Sequence, residues 1–138
     1  MQAIGSYAFE VTTQRSFDDA IARVTELLAE QGFGVLTEID VKATFKKKLD
    51  LDWRPYRILG ACNPKFASRA LEAVPHVGVL LPCNVVVWDE GTHRVVTAME
   101  PKVMSQIVDA PGIAEIANEV SARLHRVLAE VERLAASE

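Results

Sequence analysis

The chain is poor in the residues that most readily announce a function. Among its 138 residues there are two cysteines, three histidines and seven glycines, and aromatics make up 7%. Two cysteines do not build a disulfide framework. Neither C-x-x-C nor H-x-x-x-H spacing occurs, so Cys62, Cys83, His76, His93 and His125 do not read as a ligand set, and no metal site is expected. There is no phosphate-binding Gly-rich loop before a helix: Gly32-Phe33-Gly34 precedes a strand pattern instead. A nucleophile-elbow sequence is absent, as is any Ser/His/Asp set that can be phased onto one face. No resident cofactor is expected.

Long apolar runs are also missing. The longest, Val77 to Trp88, is interrupted by Pro82 and Asn84. It falls short of the roughly 18–20 residues that a membrane span requires. The opening Met1-Gln2-Ala3-Ile4-Gly5-Ser6-Tyr7 has no basic segment followed by an apolar stretch, so no secretory signal is read there. A cytoplasmic location is expected, with both thiols reduced. The net charge of −4 and the short Lys46-Lys47-Lys48 run argue against nucleic acid as a partner.

What is present is ordinary globular composition, 49% hydrophobic and 25% charged. One domain over residues 1–138 is expected from that length. Tyr7 to Val11 alternates as a first strand. Ser16 caps a helix whose apolar face is Phe17, Ala20, Ile21, Val24, Leu27 and Leu28, and Gly32 ends it. Val35 to Ile39 reads as a strand with Val35, Thr37 and Ile39 on one face and Leu36 and Glu38 on the other. Asp40 caps a short helix that buries Val41, Phe45 and Leu49. Tyr56 to Cys62 is the third strand, and Asn63-Pro64 opens a further helix, Asn63 as the capping side chain. Val77 to Trp88 reads as one long strand covered on both faces, with a bulge or edge at Pro82. His93 to Met99 returns as its hairpin partner. Short and long helices start at Pro101 and Pro111; Ile113 to Leu134 carries a broad apolar stripe, with His125 on its exposed side. The whole reads as an α+β fold with a largely antiparallel sheet and a long C-terminal helix on one face.

Four stretches carry a family resemblance: Gly32 to Lys42, Tyr56 to Pro64, Leu80 to Val87, and Met99-Glu100-Pro101. In that order they resemble the domain-of-unknown-function 302 family across nearly the whole chain. The resemblance implies a curved antiparallel sheet carrying helices, similar to the TATA-binding-protein-like fold, with a β-α-β-β-β-β-α core. It implies no activity, since such folds host unrelated functions.

Candidate chemistry therefore rests on the residues alone. Cys62 is placed at a strand end beside a helix N-terminus, where a thiolate is stabilised, and Cys83 is its candidate partner. Glu38, Asp40 and Lys42 form a polar set at the end of the second strand. Arg54 and Arg57 sit among aromatics in a loop, a pattern of anion sites and interfaces. Asn63 and Asn84 complete the candidate ligand-binding residues. The expected function is binding of a small molecule or partner, with self-association as a homodimer, because the apolar stripe and hairpin exceed what one small sheet must cover. Thiol-based redox or sulfur chemistry is the alternative, and metal handling a weaker one.

Overall fold

A computed structural model describes the backbone of residues 1–137 and the side chains of residues 1–133. Six strands run β1 (Gln2–Ile4), β2 (Ala8–Thr13), β3 (Gly34–Asp40), β4 (Tyr56–Cys62), β5 (Cys83–Asp89) and β6 (Arg94–Met99). They form one antiparallel sheet in the order β1-β2-β6-β5-β4-β3. Five helices interleave: α1 (Phe17–Glu30), α2 (Val41–Leu49), α3 (Pro64–Ala73), α4 (Lys102–Ile107) and α5 (Ile113–Ser137). The α+β fold, the antiparallel sheet and the long final helix are as expected. The short β1 was not legible in advance.

Residues paired across antiparallel strands share a face, so the registers sort the sheet into two sides. Phe9 and Val11 (β2), Leu59 and Ala61 (β4), Val85 and Val87 (β5), and Val96 and Ala98 (β6) face one side, and all are buried. Ala20, Val24, Leu27 and Leu28 of α1 complete that core with Ile113, Val120, Leu124, Val127, Leu128 and Val131 of α5. Each such aliphatic or aromatic side chain removed from water contributes about 1.5–3 kcal/mol before entropy is subtracted. The stripe of α5 is thus covered by this chain's own sheet; Leu134, its last expected member, lies outside the described side chains. Ser16 caps α1 by accepting from the Asp19 amide (3.2 Å), and Gly32 leaves it at φ +88°.

Several local readings are corrected. Val77 does not begin a strand: Pro75–Leu80 is a 3-10 turn, and the strand starts at Cys83, just past Pro82. Proline has no N–H for a ladder, so pairing begins after it. The second face of β5 is not covered either: Asn84 is exposed, and Val86 and Trp88 are only half-buried. In β3 the register shifts between Val35 and Thr37, and the extra residue flips the alternation. Val35 stays on the helix side opposite Ala61, whereas Thr37 and Ile39 face the other side and Glu38 and Asp40 face the helices. Helix α2 buries none of its residues, and Leu49 is exposed. It stands at the rim, where Phe45 meets Trp53 edge-on at 5.4 Å. Asn63 makes no capping bond to α3; its amide donates to the Gln31 carbonyl (3.3 Å), tying the end of α1 to the start of α3. His125 is not a free surface side chain: its ring stacks on Phe9 at 3.8 Å, and Nε2 meets Glu100 Oε1 at 3.2 Å.

Of the glycines, Gly60 is the most closely approached. A Cβ there would lie 2.1 Å from Thr37 Oγ1 and 2.8 Å from Pro82 Cγ. Gly60→Ala should lower stability by about 1–3 kcal/mol in thermal or urea unfolding. Adding Thr37→Ala should recover part of that loss, because it removes the nearer of the two obstacles.

Candidate functional site

The expected site residues fall into three separate places. The thiols lie at one end of β4 and β5. Cys83 pairs with Ala61, beside Cys62, and is buried, while Cys62 is half-buried; both are free. They line a cavity of about 30 Å³ with Phe33, Phe66, Met104 and Ile116. That volume takes no more than a water or two. Burial pushes the Cys62 thiol up, and burial followed by the neighbouring Cys62 pushes Cys83 up to about 11. Asn63 is buried next to these thiols with its amide committed to Gln31.

A second place is the rim of the helix side. Arg57 donates to Glu38 Oε1 at 2.7 Å and lies 3.6 Å from Asp40 Oδ2. Its guanidinium sits 5.6 Å from the centroid of the Phe17 ring. The bulge in β3 produces this cluster by turning both carboxylates toward the helix side. The acids hold a cation of the chain itself, which is the ordinary work of a partly exposed ion pair. Asp40 also caps α2 through the Ala43 amide (2.9 Å). Lys42 is exposed on α2 and does not join the cluster.

The third place is the open side of the sheet. Ile4 and Ala8, then Met99, Asn84, Val86, Trp88 and Tyr56 follow one another across β1, β2, β6, β5 and β4. They line a groove of about 460 Å³, bounded at one end by Tyr7 and Val103. Tyr56 and Trp88 stack with centroids 5.6 Å apart and planes 9° from parallel. The groove continues past them into a smaller hollow of about 250 Å³ beside Trp53, Arg54 and Glu90. There Glu90 Oε1 accepts from both Trp88 Nε1 (2.6 Å) and Arg54 Nη1 (2.9 Å), which fixes the indole against the sheet.

Of the residues singled out from sequence, Asn84 and, within the Trp53–Arg57 stretch, Tyr56 line this groove, with Arg54 at its extension. Val86, Trp88, Met99 and Glu10 were missed as site residues. The available signal was apolar side chains at both parities of β5, which demand a cover on both faces. Among the described residues, no group of three or more His, Cys, Asp or Glu is placed to hold a metal ion. No helix among them is long and apolar enough to cross a membrane.

The thiol environments set a pH dependence. A thiol raised on folding keeps its proton in the native state after the unfolded chain has lost it, so its contribution is fully present below about 9 and is lost as pH rises toward about 11. For Cys83 that amounts to about 2 kcal/mol across the window. Urea unfolding should show this decline, and Cys83→Ala should flatten it even though the variant starts less stable. Iodoacetamide should label Cys62 before Cys83, neither of them quickly at neutral pH.

Residues 9–131 match the family described as "Domain of unknown function DUF302". No curated protein matches the chain. Among solved structures, an uncharacterized conserved DUF302 protein from Bacillus stearothermophilus is similar, at 32% sequence identity and a TM-score of 0.81. The likeness covers 88% of this chain and 95% of that one. Shared sequence over most of the chain and a shared fold lead to one conclusion: the chain belongs to the DUF302 family.

Proposed function

We propose that the chain is a small binding domain whose ligand lies on the open side of the sheet. One observation carries this reading: Val86 and Trp88 are apolar at the parity that faces away from both packing helices, and they floor a groove of about 460 Å³. Pockets of roughly 300–1,000 Å³ with apolar walls and a few polar groups are the usual form of small-molecule sites. Here the polar side chains are Glu10, Tyr56 and Asn84, spread over three strands. A site built on strands is held more rigidly than one on loops.

Trp53 and Trp88 are the two tryptophans, so Trp53→Phe leaves the groove indole as the sole reporter. In that background, uncharged N-phenylnaphthylamine should bind and draw energy from Trp88. Val86→Asp should weaken the dye by roughly tenfold, since a carboxylate in an apolar floor costs on the order of 1–3 kcal/mol. Unchanged binding in Val86→Asp would remove the groove from consideration.

Self-association is a second reading, favoured by a different observation. Strand β3 ends the sheet with its outer edge unpaired among the described residues, and it exposes Leu36 (67%) and Ile39 (48%). Such an edge is a template for pairing with another copy. Sedimentation should then give twice the monomer mass at micromolar concentration, and Leu36→Lys/Ile39→Lys should restore the monomer. A wild-type chain that stays monomeric throughout defeats this reading. Thiol chemistry has less support, because burial opposes the ionisation it needs at both Cys62 and Cys83. Metal handling lacks a donor cluster among the described residues.

A further inference from the structure

Among the described residues, one charged side chain lines the open groove, and that charge is negative. Glu10 stands on β2 opposite Thr97, facing the open side together with Val86 and Trp88. Among the described residues, neither Lys nor Arg lines the groove with it. Among the described residues, no ion pair or hydrogen bond engages its carboxylate, in contrast to Glu38, Glu90, Glu100 and Glu119, which all hold partners. The rest of the lining is apolar or uncharged, with the stacked Tyr56–Trp88 pair at the far end.

The registers give the spacing between these two features. Glu10 and Val86 lie in the same cross-strand row through Thr97, and Trp88 is two residues farther along β5. Two strand spacings across and two residues along separate Glu10 from Trp88, so their backbone positions lie about 12 Å apart, with Tyr56 one strand farther.

We propose that the groove selects an apolar organic cation: a ring system that lies on the floor by Tyr56 and Trp88, joined by a short apolar link to an ammonium group at Glu10. This rests on the open-side binding reading and names its ligand class. Three features act together. The apolar floor supplies affinity without regard to charge. The Glu10 carboxylate, engaged by no ion pair among the described residues, supplies the preference for positive charge. The π faces tolerate a cation and repel an anion. The net charge of −4 adds a weak attraction of the same sign at long range. An anionic ligand of the same shape would meet Glu10 with no compensating group in the lining.

Two probes of one shape test this: a naphthylbutyl trimethylammonium salt, and its uncharged isostere in which carbon replaces the quaternary nitrogen. Binding is read from Trp88 emission in the Trp53→Phe protein. The cation should bind roughly fivefold or more tightly than the isostere, a preference of about 1 kcal/mol. Glu10→Gln, checked for intact fold by circular dichroism, should abolish that preference and leave the isostere's affinity unchanged. Added salt should weaken the cation alone. Equal affinity of the two probes for the parent protein, or a preference that survives Glu10→Gln, overturns the cation inference while leaving the open-side site standing. Failure of both probes to bind overturns the inference and the site together.

Discussion

Everything in this fold follows from the burial of one side of the sheet beneath α1 and α5. Phe9, Leu59, Val85, Val87 and Val96 on the strands, and Val24, Leu28, Leu124 and Leu128 on the helices, form a single apolar layer. Because strand side chains alternate with a period of two, committing those residues to the helices commits their neighbours to the opposite side. The open groove is thus a geometric consequence of the core, and its residues are chosen by the register that the core imposes. A one-residue slip of β5 would exchange Val85 and Val87 for Asn84 and Val86, placing an asparagine in the core.

The register is guarded at two points. Gly60 accepts Thr37 and Pro82 against its bare Cα, so β3 and the approach to β5 close tightly over β4. The extra residue at Leu36 then reverses the alternation of β3, which aims Glu38 and Asp40 at Arg57 and leaves Thr37 and Ile39 on the open side. A polar cluster that looks like a candidate site in one dimension is, in three, an ion pair that closes the sheet's corner. On strand β2 the same rule puts Glu10 in the groove, without a partner among the described residues.

The order of strands and helices was legible because it depends on local signals. Ser16 and Asp40 cap, Gly32 terminates, and the stripes of α1 and α5 repeat at the helical period. The boundaries that failed are those where tertiary contact overrides pattern. Val77 to Leu81 is apolar enough for a strand, yet Val77 is buried beside α3 in a 3-10 turn and pairing waits for Cys83. Asn63 has the identity of a cap, but Gln31, remote in sequence, is the stronger claimant on its amide. His125 follows an exposed phase on α5 and is drawn in by Phe9 and Glu100, which no periodicity connects to it.

By itself, the sequence determined the α+β class, the family, the two helical stripes, and the fact that β5 is apolar at both parities. These depend on residue identity and short-range spacing, which one dimension records. Tertiary structure alone decided which parity of β5 is covered, that α5 is consumed by its own sheet, and that the two thiols share a cavity too small for a substrate. It also decided that Glu10, unremarkable on its strand, is the single charged side chain among the described residues lining an aromatic-floored groove. Those facts depend on which strand lies beside which and in what register. Cross-strand neighbours such as Glu10, Val86 and Trp88 come from segments far apart along the chain, and only the closed sheet brings them onto one surface.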